Sequence, residues 1–250
     1  MGSETPCSIH LLTPVVTEGL RTLDELDIFK SPGTQLTHSI LRTGPPSIEC
    51  EVDQALAVPG TIKQAIKAER NGASAVIIDC MGDPGLRPAR EAVTIPVLGP
   101  AETSMHLAAM LGQKFCIVTV LESVRPMMMN NVRLYGVQEK LASIRVVDIP
   151  VLEIHQRGDE VQEALAGEAL AAVEQDGADV IILGCTGFLG CADKIRKRLL
   201  VAKYDVPVID PIPATFCMAE ALVRSGLSHS KKAYPYFREK AFVGYEISRV

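Results

Sequence analysis

Two cysteines stand in nearly identical surroundings. Cys80 follows the apolar run of GASAVIIDCMG, and Cys185 follows that of GADVIILGCTG. Cys80 lies eight positions after Gly72 and Cys185 eight after Gly177, and Ala73, Ile77 and Gly82 answer Ala178, Ile182 and Gly187 at an offset of 105. A thiolate is a general base and a thiol a general acid. Two of them on opposite walls of one pocket could take a proton from a carbon beside a carbonyl and return one to its other face. That inverts the stereocentre, and it needs no metal or organic cofactor. The carbanion must be held as an enolate, with donors aimed at the carbonyl oxygen. The amides of Met81 and Gly82, and of Thr186 and Gly187, are expected in turns entering helices, where N–H groups lack helical partners, and glycine lets the backbone come close.

Such turns need strands to carry them. Short β-rich runs alternate with helical patterns along the chain, the signature of βα units and a parallel sheet. Eight strands are expected, near Ile9 to Leu12, His38 to Arg42, Ala75 to Asp79, Ile95 to Leu98, Phe115 to Val120, Ile144 to Asp148, Val180 to Leu183 and Val206 to Ile209. Ile62, Ala65, Ile66 and Glu69 stripe one helix that Asn71 and Gly72 end, and Val161, Leu165, Ala169 and Ala172 stripe another before Gly177. IPVLGP and VPVIDP also correspond, Pro96 to Pro207, and each precedes a helical run, Met105 to Leu111 and Phe216 to Val223. Two such matches in order indicate a duplicated αβ unit. The expected fold is α/β, two similar parallel-sheet domains about a pseudo-twofold axis, with residues 1–98 and 213–250 in the first and 99–212 in the second. Ligands of open α/β sheets bind at the carboxyl ends of the strands, where both cysteines fall, so the site is expected in the cleft between the domains.

Composition limits the function classes. The chain has 250 residues, 47% hydrophobic and 22% charged, enough for a sizeable core. A net charge of -5, no Trp and 4% aromatics argue against a nucleic-acid partner. No apolar run reaches the roughly 18 residues of a membrane span, and the amino terminus lacks a signal-peptide pattern. Seven cysteines, an odd number, suit a reducing cytoplasm. The partner implied is a small-molecule substrate.

The runs CMGDPGL and LGCTG, the segment GPPSIECEVDQALAVPG (Gly44 to Gly60) and IPVLGPAE resemble the hydantoin and allantoin racemase branch of the aspartate/glutamate racemase superfamily. The resemblance runs in order from about Leu36 to Gly226. It implies two flavodoxin-like domains and cofactor-independent two-base racemisation. Cys80 and Cys185 are then the acid/base pair, and the Thr186 amide and Thr119 hydroxyl contact substrate. After the first strand the branch usually shows Asn-Pro-Asn; this chain reads LLTPVVT and keeps only Pro14. The amino-acid racemase motifs Asp-Ser-Gly and Asn-Thr are absent, which favours a cyclic amide such as a 5-substituted hydantoin or allantoin. An amino-acid racemase, a single-cysteine isomerase or lyase of the same scaffold, and a non-catalytic small-molecule-binding protein are the alternatives.

The other residues have plainer expectations. Cys7, Cys50, Cys116, Cys191 and Cys217 are read as small core side chains. Asp83, before Pro84, is read as a helix N-cap. Ser47 and Glu49 follow a Pro-Pro turn; Ser47 is a substrate-side candidate against a solvated loop. Met127 to Met129 are read as core. No Cys or His spacing suits a metal, and among the five histidines His155 is the one of interest. The tail KKAYPYFREKAFVGYE is expected to cover a domain surface or form a subunit contact in a homo-oligomer.

Overall fold

The computed structural model describes residues 7–238, 240–245 and 247. The ends of the expected first domain, 1–6 and 248–250, and Glu239 and Glu246 of the tail lie outside the described residues. Eight strands follow in order: β1 (Cys7–Thr13), β2 (Thr34–Ile40), β3 (Ala75–Ile78), β4 (Val97–Leu98), β5 (Phe115–Thr119), β6 (Leu141–Val146), β7 (Val180–Leu183) and β8 (Val208–Ile209). Seven α-helices alternate with them: α1 (Glu51–Arg70), α2 (Leu86–Ala92), α3 (Pro100–Leu111), α4 (Arg125–Leu134), α5 (Gly158–Asp176), α6 (Ala192–Val201) and α7 (Pro211–Arg224).

The strands pair in parallel as two four-stranded sheets, ordered β2-β1-β3-β4 and β6-β5-β7-β8. The order is the same in both. It matches the first four strands of the flavodoxin-like order. β3 (AVII) and β7 (VIIL) are buried at every residue, because helices cover both faces of a parallel sheet and leave no position for a polar alternation. The two registers also agree: β1 meets β3 at Ile9↔Ala75, and β5 meets β7 at Phe115↔Val180.

Edge strands differ from the sequence reading. β2 begins at Thr34 rather than His38, and β6 at Leu141 rather than Ile144. Both lie at a sheet edge and present half-polar surfaces, TQLTHSI and LASIRV, that carry little apolar signal. β4 and β8 are two residues each because Pro96 and Pro207 have no N–H to give a ladder. Their carbonyls still accept, from Val76 at 2.9 Å and Ile181 at 3.0 Å. α1 starts well before the expected stripe, at Glu51, and carries Pro59 inside it. It stops where expected, with Gly72 at φ 88, and α5 ends on the left-handed cap Gly177.

Contacts divide the chain into two compact units, each with one sheet: residues within 1–46, 52–99 and 215–250, and residues 47–51 with 100–214. Ser47–Glu51, read from the sequence as part of the first domain, groups with the second unit. There the Glu49 carboxylate accepts the Val151 N–H at 2.7 Å, and Asn130 donates to Glu51 at 3.1 Å. Among the described residues no helix is long and apolar enough to cross a membrane.

In the first unit, Glu220 of α7 accepts from Ser31 (2.7 Å) and Thr34 and so ties the start of β2 to that helix. The tail lies on the same unit. Lys231 donates to the Arg90 and Val93 carbonyls, and Arg90 donates to the Tyr234 hydroxyl at 3.2 Å.

Candidate active site

Both cysteines sit where a buried central strand leaves its sheet. After β3, the Asp79 N–H still donates to the Leu12 carbonyl at 2.8 Å; after β7, the Gly184 N–H donates to the Val118 carbonyl at 2.7 Å. The next residue is the cysteine. Its carbonyl accepts three residues on, from Asp83 at 3.0 Å and from Phe188 at 3.1 Å. Its sulfur accepts two residues on, Gly82 N–H to Cys80 Sγ and Gly187 N–H to Cys185 Sγ, at 3.4 Å each. The chain thus builds one turn twice, down to the hydrogen bond on sulfur. Neither cysteine is in a disulfide, and both are only partly buried.

The remaining cysteines separate from these. Cys7, Cys116 and Cys191 are buried. Burial pushes the Cys116 thiol up to about 11 and raises those of Cys7 and Cys191. Such thiols stay protonated at neutral pH. Two expectations need correction: Cys50 is only partly buried, and Cys217 is exposed on α7, where Phe216 and Ala219 take the inward positions instead.

Behind the cysteines the two turns part company. Asp79, next to Cys80, is buried, and Arg21 grips its carboxylate with two hydrogen bonds, Nε to Oδ2 at 3.0 Å and Nη2 to Oδ1 at 3.2 Å. The Thr13 hydroxyl donates to the same Oδ2 at 3.0 Å and accepts from His38 Nε2 at 2.9 Å. Side-chain exposure is 3% for Arg21 and 2% for Asp79. Burial opposes the Arg21 charge, but Asp79 outweighs it and holds the guanidinium proton more tightly than usual. Burial lowers His38 below its ordinary value, with Asp79 pulling it up and Arg21 down.

The equivalent of Asp79 is Gly184, and here there is no room for a side chain. A Cβ would lie 2.8 Å from both Ile117 Cγ2 and Thr119 Cβ and 2.9 Å from the Val118 carbonyl oxygen. Thr119, fully buried, donates its hydroxyl proton to the Gly184 carbonyl at 3.1 Å. It braces the Cys185 turn as Thr13 braces the Cys80 turn.

Of the other expected site residues, Met81, Gly82, Asp83 and Thr186 are buried beside the cysteines, and Gly187 is partly exposed. Pro14 is buried immediately after Thr13, and Ser47 is buried rather than solvated, since Ile48 beside it packs inward. Asp83 is not the N-cap of α2. α2 starts later, its N-cap being Gly85 at φ 76. Asp83 takes φ 49 and turns its carboxyl onto Gly99, where an added Cβ would meet Asp83 Cγ at 2.3 Å. Met127 and Met128 are core, whereas Met129, read with them, is only partly buried. His155 is exposed. The histidine tied to a cysteine turn is His38, through Thr13 and Asp79; His10 lies farther back on β1, opposite Val76, and its ring nitrogens bond Thr37 and Ser39 at 2.8 Å each. Sequence reasoning missed Arg21 and Asp79 as a pair. An aspartate ending an apolar strand was the one signal, since a buried charge demands a counter-charge.

The geometry has counterparts among known proteins. Residues 30–219 match the family model for Asp/Glu/Hydantoin racemase. A hydantoin racemase of Pseudomonas sp. (strain NS671) is 40% identical over 212 residues, covering 84% of this chain and 83% of that one. A hydantoin racemase of Rhizobium meliloti is 33% identical over 242 residues, covering 96% and 98%. Among solved structures, allantoin racemase from Klebsiella pneumoniae superposes with a TM-score of 0.88 at 32% identity over 95% of this chain and 96% of that one. The chain belongs to the Asp/Glu/Hydantoin racemase family, in its hydantoin/allantoin racemase branch, and is by that membership an isomerase.

Proposed function

We propose that this racemase works without a cofactor, on a 5-substituted hydantoin or on allantoin, by proton transfer between Cys80 and Cys185. The observation that carries this is the pair of matched turns. Each sets a partly exposed thiol beyond the end of a buried strand, with a glycine N–H on its sulfur. That N–H is the partner a thiolate accepts, and one such group on each unit is what a two-base inversion needs.

In the forward step one sulfur, as thiolate, takes the ring proton at the carbon beside the carbonyl, and the electron pair moves onto the carbonyl oxygen. The other, as thiol, then gives its proton to the opposite face of the same carbon. Inversion requires the two units to present their sulfurs to one ring from opposite sides. Both hydrogen bonds to sulfur can persist through the cycle, because the glycine amides do not change protonation state. The Met81 and Thr186 amides are the proposed donors to the enolate oxygen, and Pro14, Ser47, Gly82 and Gly187 the proposed walls. Thr119 acts from behind, through Gly184. The relatives' substrates support a cyclic ureide, as does the absence of amino-acid racemase motifs. The proposal extends to a cytoplasmic homo-oligomer, supported by Val52 and Leu56, exposed one turn apart on α1; light scattering at the purified protein's working concentration checks it.

Optical rotation of a single hydantoin or allantoin enantiomer should decay to zero with the wild type. Cys80→Ser and Cys185→Ser should each slow the decay by about 10²–10⁴-fold, and full activity in either variant would overturn the mechanism.

A further inference from the structure

Asp79 sets a problem that its turn must solve. A carboxylate stands one residue from Cys80, and a second, Asp83, stands three residues on, buried with its carboxyl on Gly99. A like charge close by disfavours a second negative charge, so Asp79 by itself would oppose thiolate formation at Cys80. In the other unit Gly184 occupies this position and brings no charge. If both sulfurs are to serve in turn as base, something must cancel Asp79.

Arg21 has the geometry to do so. It comes from the loop after β1 and holds both carboxylate oxygens, buried as deeply as the carboxylate itself. The remaining neighbours of the pair do not replace it. Thr13 is neutral, His38 reaches the carboxylate only through Thr13 and is held neutral by burial, and Glu25, 3.4 Å from Arg21 Nη1, is acidic. Arg21 is the cation facing Asp79 from these elements.

We infer that Arg21 is a positioning residue for Cys80: by neutralising and fixing Asp79 it lets the Cys80 thiolate form beside a paired carboxylate rather than a bare one. The inference rests on the acid/base role of Cys80. Its test does not, because alkylation requires no turnover.

The test is peptide-resolved iodoacetamide labelling of the full chain as a function of pH, with Cys185 as the internal reference. Arg21→Gln should raise the pH midpoint of Cys80 labelling by about one unit, and Asp79→Asn should lower it, in keeping with the effect of one nearby charge. The double variant R21Q/D79N should return it near the wild-type value, and Cys185 should not move in any of them. Arg21→Lys, which keeps the charge, should stay within a few tenths of the wild type. A purely structural pair would give both single variants the same direction, by loosening the turn, and the double variant no recovery; that result overturns the inference, as does an unmoved midpoint in folded R21Q. Labelling of buried Cys116 reports unfolding. If R21Q unfolds, the downward shift in D79N decides alone: its presence supports the inference and its absence overturns it. Loss of racemisation in Cys80→Ser, or its retention, tests the acid/base role separately.

Discussion

The turns after β3 and β7 share a backbone and differ in what stands behind it. Both carry the cysteine on the same three hydrogen bonds, from the preceding residue to the neighbouring strand, from the residue three on to the cysteine carbonyl, and from the glycine two on to sulfur. One is braced by a buried ion pair, Asp79 with Arg21, and the other by a glycine pressed onto Thr119 and Val118. Duplication conserves the geometry the sulfur needs and leaves the means of bracing free. A side chain with a partner fills the space in one unit, and the absence of a side chain closes it in the other.

The sharpest way to break this comparison is at sulfur. Replacing either cysteine by serine should cut racemisation by about 10²–10⁴-fold, the usual worth of a positioned acid or base, and by similar factors in the two variants. A loss confined to one would show that the shared geometry does not mean a shared role. Next comes the bracing. Asp79→Gly, which makes the first turn resemble the second, leaves Arg21 buried without its carboxylate and should cost about 3–5 kcal/mol in urea unfolding.

Acid exposes the next difference, because the buried histidine belongs to the first unit. His10 is pulled down to about 4 from an ordinary 6.5, by burial first and then by the charges of His38 and Lys67. The folded state keeps it neutral while the unfolded chain takes up a proton near pH 6.5. Between those values the unfolded state binds more protons, so stability must fall as pH falls from about 6.5 to 4. The total is at most about 3.5 kcal/mol, at about 1.4 kcal/mol per pKa unit. Unfolding free energies across that window check it, and His10→Gln should flatten the slope. The smallest effect is expected at Gly184→Ala, whose methyl meets Thr119 Cβ and Ile117 Cγ2 at 2.8 Å. Overpacking of that kind costs about 1–3 kcal/mol, read as a lowered thermal midpoint.

Much of this was legible in the sequence for physical reasons that can be named. VIID and VIIL read as buried strands because both faces of a central parallel strand are covered, and the glycines spaced eight before the cysteines marked the repeat. The edge strands β2 and β6 were displaced because half-exposed strands admit Thr, Gln, His and Arg and so lose their apolar contrast. Asp83 was misread because an Asp-Pro pair usually opens a helix; here Gly85 supplies the left-handed entry, and Gly99 leaves room for the carboxyl. Arg21 could not be matched to Asp79 from spacing, since their 58-residue separation has no period and only the pairing of β1 with β3 brings the loop beyond β1 to the start of the Cys80 turn.

The most direct test of two sulfurs acting on one carbon is the fate of its hydrogen. A single enantiomer of a 5-substituted hydantoin, turned over briefly in deuterated buffer and then resolved, should give a product enantiomer carrying deuterium while the recovered starting enantiomer still carries protium. Deuterium entering the recovered substrate as fast as the product, or protium carried across into the product, would mean that one base serves both faces, and would contradict the two-cysteine account.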